Sequence, residues 1–132
     1  MTPLPALLLD THALLWWLDG DARLSAPARA AILEPAQRVL VSAASAWEIT
    51  TKHRLGKLPD AGDVARDVAA CIAAQGFHEL PISVSDGERA GRLPGPHRDP
   101  FDRMLVAQAL GHDLLLVSNE GLFDGYGVTR LW

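Results

Sequence analysis

The stretch that decides the fold is LLLD at residues 7–10, which runs directly into Thr11 and His12. A short apolar run that ends in an aspartate and is followed by a helical pattern predicts the first buried strand of an α/β domain. Ligands of parallel α/β sheets bind beyond the carboxyl ends of the strands. We therefore expect Asp10 to lie at the edge of the sheet where a functional site forms.

Strand and helix patterns alternate along the rest of the chain. Further strands are predicted at residues 37–42, 77–82, 114–117 and 128–131. Helices are predicted at residues 13–18, 43–55, 63–75, 85–93 and 99–110, and a further helix is capped by Ser25 and ends at residue 33. This alternation predicts a parallel sheet with helices on both faces. The expected fold is one α/β domain over residues 1–132, a three-layer α/β/α sandwich with a central parallel sheet.

The composition is that of a globular protein, because hydrophobic residues make up 48% of the chain and charged residues 21%. No apolar run approaches the roughly 20 residues of a membrane span, and no signal-peptide pattern opens the chain. Cys71 is the one cysteine, which rules out an internal disulfide and fits a reducing compartment. A cytoplasmic protein that does not enter membranes is the expectation.

The net charge of −4 does not exclude a nucleic acid as partner. Ten of the 12 basic side chains are arginines, which make bidentate phosphate contacts that lysine cannot make. Acidic residues that surround a metal ion form a cation site rather than a negative face. Charge alone therefore does not decide the class of partner.

Acidic residues follow the predicted strands or open the predicted helices. Asp10 ends the first strand, and Glu48 follows the second strand by six residues. Asp102 opens the strongest predicted helix, with Asp99 just before it, and Glu120 lies three residues past the LLLV strand. Carboxylates that converge on one edge repel one another, and a hard divalent cation such as Mg²⁺ or Mn²⁺ removes that repulsion.

Most of these acids also have a purely structural explanation. Ser45 and Glu48 have the spacing of a capping box, and Asp99 can cap a helix whose first turn contains a proline and Asp102. An acid in the first turn stabilises a helix by roughly 0.3–1 kcal/mol through the macrodipole. Asp10 differs from the others, because a carboxylate at the end of a buried strand needs a partner.

Four blocks of sequence cover almost the whole chain: residues 7–18 (LLLDTHALLWWL), 42–58 (SAASAWEITTKHRLGKL), 97–109 (HRDPFDRMLVAQA) and 116–132 (LVSNEGLFDGYGVTRLW). In this order they resemble the PIN-domain proteins of the VapC toxin type. The resemblance implies a Mg²⁺- or Mn²⁺-dependent endoribonuclease that cuts RNA to leave a 3′-hydroxyl and a 5′-phosphate. It also implies a homodimer, and a VapB-type antitoxin whose basic side chain occupies the acidic pocket.

The resemblance also assigns roles to the acids. Asp10 and Asp102 are expected to be the core metal ligands, with Glu48 binding metal or orienting water and Asp99 as an accessory ligand. The fourth catalytic acid falls on Glu120. The commonest pattern of the family has an aspartate there, so this chain departs from it by carrying a longer side chain.

Polar and basic side chains around the acids are expected to contact the RNA substrate. The candidate residues are Thr11, Ser118, Asn119, Arg98, Arg103 and Lys52, with Arg54 and Lys57 further along. A solvated helix face is the alternative for each basic residue. Thr11 is also expected to cap the first helix.

The large aromatic and imidazole side chains have no predicted catalytic role. The histidines lack the spacing of metal ligands, so no zinc site is expected. The tryptophans are expected to lie in the core, with one or two in an interface: Trp16, Trp17, Trp47 and Trp132.

Three alternative functions are considered. A response-regulator receiver needs a lysine at the end of its last strand, and no lysine follows Lys57. A haloacid-dehalogenase phosphatase needs an aspartate two residues after its nucleophile, where this chain has His12. A PIN-like binding module with weak catalysis, acting through protein or RNA contact, stays open because of Glu120.

Overall fold

The computed structural model describes residues 4–132. The strands are β1 (Leu7–Leu9), β2 (Val39–Ser42), β3 (His78–Leu80), β4 (Leu115–Val117) and β5 (Arg130–Leu131). The helices are α1 (Thr11–Asp19), α2 (Ala26–Leu33), α3 (Ala43–Arg54), α4 (Gly62–Arg66), α5 (Val68–Ala74), α6 (Val84–Arg92) and α7 (Pro100–Gly111), and the segments Pro59–Ala61 and Gly121–Tyr126 form 3-10 turns. No helix among the described residues is long and apolar enough to cross a membrane.

The five strands form one parallel sheet in the order β3-β2-β1-β4-β5. β1 lies at its centre, with Leu8 paired to Leu40 of β2 and to Leu116 of β4. The backbone N–H of Asp10 continues the ladder by donating to Val117 O at 3.0 Å. The carboxyl ends of β1, β2 and β4 therefore meet at one edge, as the sequence predicts.

The core lies on both faces of this sheet, because successive side chains of a strand alternate in direction. Leu7 and Leu9 pack with apolar residues of α1 to α5 on one face. Leu8 packs on the other face against Leu105 and Val106 of α7. All three leucines of β1 are fully buried, and each such side chain contributes roughly 1.5–3 kcal/mol. The predicted three-layer α/β/α sandwich is confirmed.

Two local predictions are wrong. The helix expected at residues 63–75 is interrupted at Asp67, whose backbone leaves the helical region at φ −157° and ψ 82° and whose carboxylate caps α5 by accepting from the Ala70 N–H at 3.0 Å. The capping box of Ser45 and Glu48 does not form, because α3 starts directly after β2 with Ser42 as its N-cap. Glu48 thus lies in the second turn of α3, where macrodipole stabilisation does not explain it.

A buried polar network links β2 to α6 and α7. Gln108 Oε1 accepts a hydrogen bond from the Ser42 hydroxyl at 2.6 Å. Gln108 Nε2 donates to Pro81 O and to Asp86 Oδ2, each at 3.2 Å. The other oxygen of Asp86 lies 3.2 Å from His112 Nε2. Because Ser42 also caps α3, this network helps to fix the helix that carries Glu48.

We expect Gln108→Ala to lower the free energy of unfolding by about 2–3 kcal/mol, because it leaves the buried Ser42 hydroxyl and Asp86 carboxylate short of partners. Urea unfolding at pH 7 measures this. Gln75→Ala is the matched control, since Gln75 is exposed and accepts one hydrogen bond from Trp17 Nε1. Equal losses in the two variants would contradict a structural role for the network.

Candidate active site

Asp10 lies where β1 ends and α1 begins, and its side chain is buried. Its Oδ1 accepts a hydrogen bond from the Ala13 N–H at 2.7 Å, which makes Asp10 the N-cap of α1. The prediction that Thr11 caps this helix is wrong, because Thr11 is already its first residue. The chain enters the helix directly from the strand, with Asp10 still extended at φ −73° and ψ 170°.

Glu48 extends from α3 to the same edge and is 4% exposed. Its Oε1 accepts a hydrogen bond from the Thr11 hydroxyl at 2.6 Å, which joins α3 to α1. The hydroxyl oxygens of Ser45 and Thr11 lie 3.0 Å apart. Because Thr11 gives its single hydroxyl proton to the carboxylate, Ser45 donates to Thr11. Oε2 of Glu48 forms an ion pair with Lys52, one turn further along α3.

Two further carboxylates stand at the start of α7. Asp99 is its N-cap and accepts hydrogen bonds from the N–H groups of Phe101 at 2.9 Å and Asp102 at 3.0 Å. Pro100 occupies the first turn, so the predicted cap is confirmed. Asp102 Oδ2 lies 2.8 Å from His97 Nε2. Since an ionised carboxylate can only accept, the His97 Nε2–H donates to it.

Burial and neighbouring charges raise the pKa values of two of these acids, Asp10 and Asp102. Burial raises the pKa of Asp10 to about 6, and the charge of Asp102 adds to the rise, while hydrogen bonds from Ser118 and Ala13 oppose it. Burial also raises the pKa of Asp102, where neighbouring carboxylates add to the rise and His97 opposes it. The carboxylates that act on Asp102 are those of Asp99 and Glu48.

Lys52 places a positive charge beside these carboxylates. Burial lowers the pKa of Lys52, but its hydrogen bond to Glu48 and the charges of Glu48, Asp99 and Asp102 outweigh burial, so that the net shift is upward. Lys52 therefore stays protonated as a counter-ion at the acidic edge. This edge, formed by Asp10, Glu48, Asp99 and Asp102, is called the acidic cluster below.

Glu120 lies on the surface, whereas the carboxylates of the acidic cluster are buried or half-buried. It is exposed and caps the 3-10 turn at Gly121–Tyr126, with Oε1 accepting from the Leu122 N–H at 3.4 Å. Arg130 has a raised pKa, first through its hydrogen bond to Asp124 and then through the charges of Asp124 and Glu120. The charge of Glu120 thus acts on a basic residue of β5. Its assignment as the fourth catalytic acid stays a prediction.

Ser118 and Asn119 differ in their surroundings. Ser118 is fully buried at the end of β4, and its hydroxyl accepts a hydrogen bond from the Glu120 N–H at 3.0 Å. Its hydrogen bond to Asp10 lowers the pKa of that carboxyl. Asn119 is exposed. Of these two expected RNA contacts, Asn119 is open to a ligand and Ser118 is part of the fold around Asp10.

The basic residues expected at the RNA also divide into two groups. Arg98 is exposed, and so are Arg54 and Lys57 of α3 and the loop after it. Arg103 is half-buried, and its guanidinium donates to three backbone carbonyl oxygens: Ala90 O at 3.1 Å, His97 O at 3.0 Å and Leu93 O. The guanidinium of Arg103, which was expected to contact the RNA, therefore already holds the loop between α6 and α7.

The acidic cluster has the chemistry of a hard-cation site, because carboxylate oxygens are the ligands that Mg²⁺ and Mn²⁺ prefer. Burial and neighbouring carboxylates disfavour the ionised forms of Asp10 and Asp102, and a divalent cation offsets both effects. Within residues 4–132, no three His, Cys, Asp or Glu side chains are already grouped as a metal site. Lys52 and His97 engage oxygens of Glu48 and Asp102 instead.

Two residues that contact the cluster or a partner of the cluster were not assigned to the site by the sequence. His97 stands five residues before Asp102, in the segment HRDPFD, which offered a local signal. Ser45 contacts Thr11 across 34 positions of sequence. Only the packing of α1 against α3 brings those two hydroxyls together, and no pattern within α3 indicates it.

The fold and the site define a class of protein, a parallel α/β domain whose sheet gathers buried carboxylates at its carboxyl edge. The sequence matches the PIN domain family over residues 7–127. The chain belongs to the PIN-domain family. No curated protein sequence matches the chain.

Solved structures with a similar fold include toxins of toxin–antitoxin systems. VapBC2 from Rickettsia felis, bound to a DNA fragment from its promoter, has a TM-score of 0.69 at 14% identity, over 95% of this chain and 96% of that chain. FitAcB from Neisseria gonorrhoeae has a TM-score of 0.59 at 18% identity, over 94% and 95%. VapC20 from Mycobacterium tuberculosis, a toxin that cleaves the sarcin-ricin loop, has a TM-score of 0.60 at 16% identity, over 94% and 97%. At such low identities the likeness shows the fold alone.

Asp10→Asn is expected to raise the free energy of unfolding at pH 7 while asparagine keeps the N-cap. The folded-state pKa of about 6 exceeds the ordinary value of 3.8, so the native protein loses stability as pH rises through that range. By pH 7 this loss amounts to about 3 kcal/mol. Urea unfolding should show a gain of up to that size at pH 7 and almost none near pH 3.5.

Asp63→Asn is the control for that experiment, since Asp63 is exposed and should change stability little at either pH. A gain in Asp10→Asn of equal size at both pH values would show that charge burial is not its cause. Destabilisation at pH 7 would show that the Asp10 carboxylate is better accommodated in the fold than its burial indicates.

Arg103→Gln is expected to lower the free energy of unfolding by about 2–3 kcal/mol, because three half-buried carbonyl groups lose a charged donor. Arg98→Gln is the matched control, because Arg98 is an exposed arginine in the loop that Arg103 contacts. Its free energy of unfolding is expected to change by no more than about 0.5 kcal/mol. Thermal and urea unfolding measure both. If Arg103→Gln is as stable as Arg98→Gln, its carbonyl contacts do not stabilise the loop.

Proposed function

We propose that this PIN-domain protein is a Mg²⁺- or Mn²⁺-dependent endoribonuclease that acts as the toxin of a VapBC-type toxin–antitoxin pair. The observation that carries the proposal is the acidic cluster, in which Asp10, Glu48, Asp99 and Asp102 converge on the carboxyl edge of the sheet. Asp10 and Glu48 are buried and Asp99 and Asp102 half-buried, at the position where parallel α/β sheets bind their ligands.

Asp10 and Asp102 would be the principal ligands of the metal, with Glu48 and Asp99 in supporting positions. When bound, the metal would activate a water for in-line attack on a phosphodiester and stabilise charge on the leaving oxygen. The remaining catalytic work belongs to side chains that hold these carboxylates in place. The products would be a 3′-hydroxyl and a 5′-phosphate.

Each carboxylate has a dedicated partner that orients it. The Ala13 N–H holds Oδ1 of Asp10, the Thr11 hydroxyl holds Oε1 of Glu48, and His97 holds Oδ2 of Asp102. Such fixed partners keep ligands within the narrow geometry that a metal site needs. Thr11 therefore contributes through Glu48 rather than through the RNA.

The exposed basic residues are candidates for the RNA backbone. Arg98 lies directly before Asp99, and Asn119 lies directly after the buried Ser118. Lys52 is 29% exposed while it is paired with Glu48, so its outer hydrogens can still meet a phosphate oxygen. Phosphate contacts of this kind would position the substrate without selecting its sequence.

The proposed toxin role implies two protein partners, an antitoxin and a second copy of the chain. A toxin–antitoxin complex from Klebsiella pneumoniae contains a chain with a similar fold, at a TM-score of 0.55 and 17% identity. A VapB-type antitoxin with a basic side chain would complement the acidic cluster, as Lys52 already does within the chain. We also propose that the chain forms a homodimer and acts in the cytoplasm.

A binding module with weak catalysis is the second candidate. Its supporting observation is that Lys52 and His97 already engage the carboxylates of Glu48 and Asp102, and that Glu120 caps a surface turn. Under this alternative the cluster would be a structural ion network, and the protein would act through contact. Metal binding and RNA cleavage distinguish the two functions.

Cleavage of a mixed cellular RNA pool by the purified chain, with Mg²⁺ or Mn²⁺ and then with EDTA, tests the nuclease. Loss of a residue that merely orients a metal ligand costs about 10–100-fold. Asp102→Asn is therefore expected to lower the rate at least about 100-fold, and Glu120→Gln is expected to lower it by about 10–100-fold if Glu120 is the fourth catalytic acid, as we propose.

Circular dichroism and thermal melting of both variants control for folding. An active Asp102→Asn variant would rule out the proposed site, and a folded Glu120→Gln variant with full activity would remove Glu120 from the catalytic set. No cleavage with either metal, together with no Mn²⁺ binding by calorimetry, would favour the binding module.

A further inference from the structure

An exposed aromatic pair bridges α3 and α7. The ring centroids of Trp47 and Phe101 lie 4.8 Å apart in an edge-to-face arrangement with planes at 77°. Trp47 is 60% exposed, while Phe101 is half-buried beneath it. Edge-to-face contact fixes the indole ring and leaves most of its surface to solvent. A tryptophan held in place and open to solvent is suited to stacking against a planar ligand.

This pair adjoins the acidic cluster on both helices. Trp47 directly precedes Glu48, and Phe101 directly precedes Asp102. Consecutive residues of a helix point about 100° apart. Glu48 is therefore directed inward to the cluster while Trp47 is directed outward, and the indole stands beside the edge where a phosphodiester would lie under the proposed function.

The outer face of α3 continues from Trp47 with polar and basic groups. Residues three, four and seven positions apart share one face of a helix, which places Thr50 and Arg54 in line with Trp47, and all three are exposed. Arg54 lies two turns away, about 10.5 Å along the axis. Leu55, which follows α3, is also exposed, so the aromatic and basic groups rather than polarity alone distinguish this face. An aromatic surface followed by a guanidinium is typical of sites that track a nucleic-acid strand.

We propose that Trp47, supported by Phe101, is the stacking platform for an unpaired base of the RNA next to the scissile phosphate, with Arg54 at the neighbouring backbone. This inference deepens the proposed function and rests on it. The platform requires an unpaired base, because a base inside a duplex cannot present its face to an indole. Stacking tolerates any base, so the platform selects for strand structure more than for sequence.

Fluorescence anisotropy with a short single-stranded RNA tests the platform, in an Asp10→Asn background that prevents turnover. Trp47→Ala is expected to weaken binding about 10-fold or more, and Trp47→Phe to retain most of the affinity because it keeps a stacking surface. A duplex of the same sequence should bind both variants equally. Thermal melting of the two variants controls for the loss of the contact with Phe101.

The salt dependence of binding separates the two roles. Arg54→Gln should reduce the slope of log Kd against log salt concentration by about one, while Trp47→Ala should leave that slope unchanged. Unchanged affinity in Trp47→Ala would overturn the proposal. A loss of affinity that accompanies dissociation of a dimer, measured by sedimentation, would also overturn it and would assign Trp47 to a subunit interface.

The proposed function and the platform fail in different ways. If the parent chain cleaves RNA and Trp47→Ala binds as tightly as its parent, the platform is wrong and the nuclease stands. If the parent chain does not cleave, but Trp47→Ala still weakens single-strand binding and Trp47→Phe restores it, the platform stands on a protein that only binds RNA.

Discussion

The burial of several carboxylates at one edge of the sheet is the constraint on which the rest of the structure depends. Removing an ionised carboxylate from water costs several kcal/mol unless charges and hydrogen bonds compensate it. Asp10 and Glu48 are both buried, and each is held by a partner from α1 or α3. The same contacts that compensate the charges also join the helices to the sheet, so that the site and the fold stabilise each other.

The topology supplies part of this compensation. Because β1 continues directly into α1 and β2 into α3, both helices start at the carboxyl edge of the parallel sheet, and α7 starts there as well. The N-terminus of a helix carries partial positive charge on its free N–H groups. Asp10 and Asp99 use these groups directly as N-caps. A sheet with antiparallel neighbours at its centre would not bring three such helix ends together.

The parts of the site that the sequence predicts are those encoded within one segment. LLLD at residues 7–10 predicts a buried strand with an acid at its end, and Asp99 with Pro100 predicts a helix start; the structure confirms both. The contact between Thr11 and Ser45 and the engagement of Arg103 with backbone carbonyls depend on how separate segments pack. Hydrophobic periodicity and capping rules contain no information on such long-range polar contacts.

The position of the helix break at Asp67 has a similar explanation. The residues on either side have an apolar pattern that is compatible with one continuous helix, and the sequence therefore predicts one. With the break, α4 and α5 each pack an apolar residue, Val64 and Val68, into the same core cluster. Tertiary packing then outweighs helical propensity, with the Asp67 carboxylate compensating for the lost turn by capping α5.

The ion pair between Lys52 and Glu48 also affects how the acidic cluster can bind a ligand. Lys52 reaches Glu48 from one turn along the same helix, so the pair is local in sequence. Any cation that enters, whether a metal ion or the basic side chain of a partner protein, must compete with Lys52 for Glu48. Asp10 has no basic side chain among its hydrogen-bond partners, and burial raises its pKa by more than its hydrogen bonds and the charge of His12 lower it. The cluster is therefore asymmetric: Glu48 is already neutralised, whereas Asp10 gains most from a cation, which makes Asp10 the carboxylate around which binding is expected to begin.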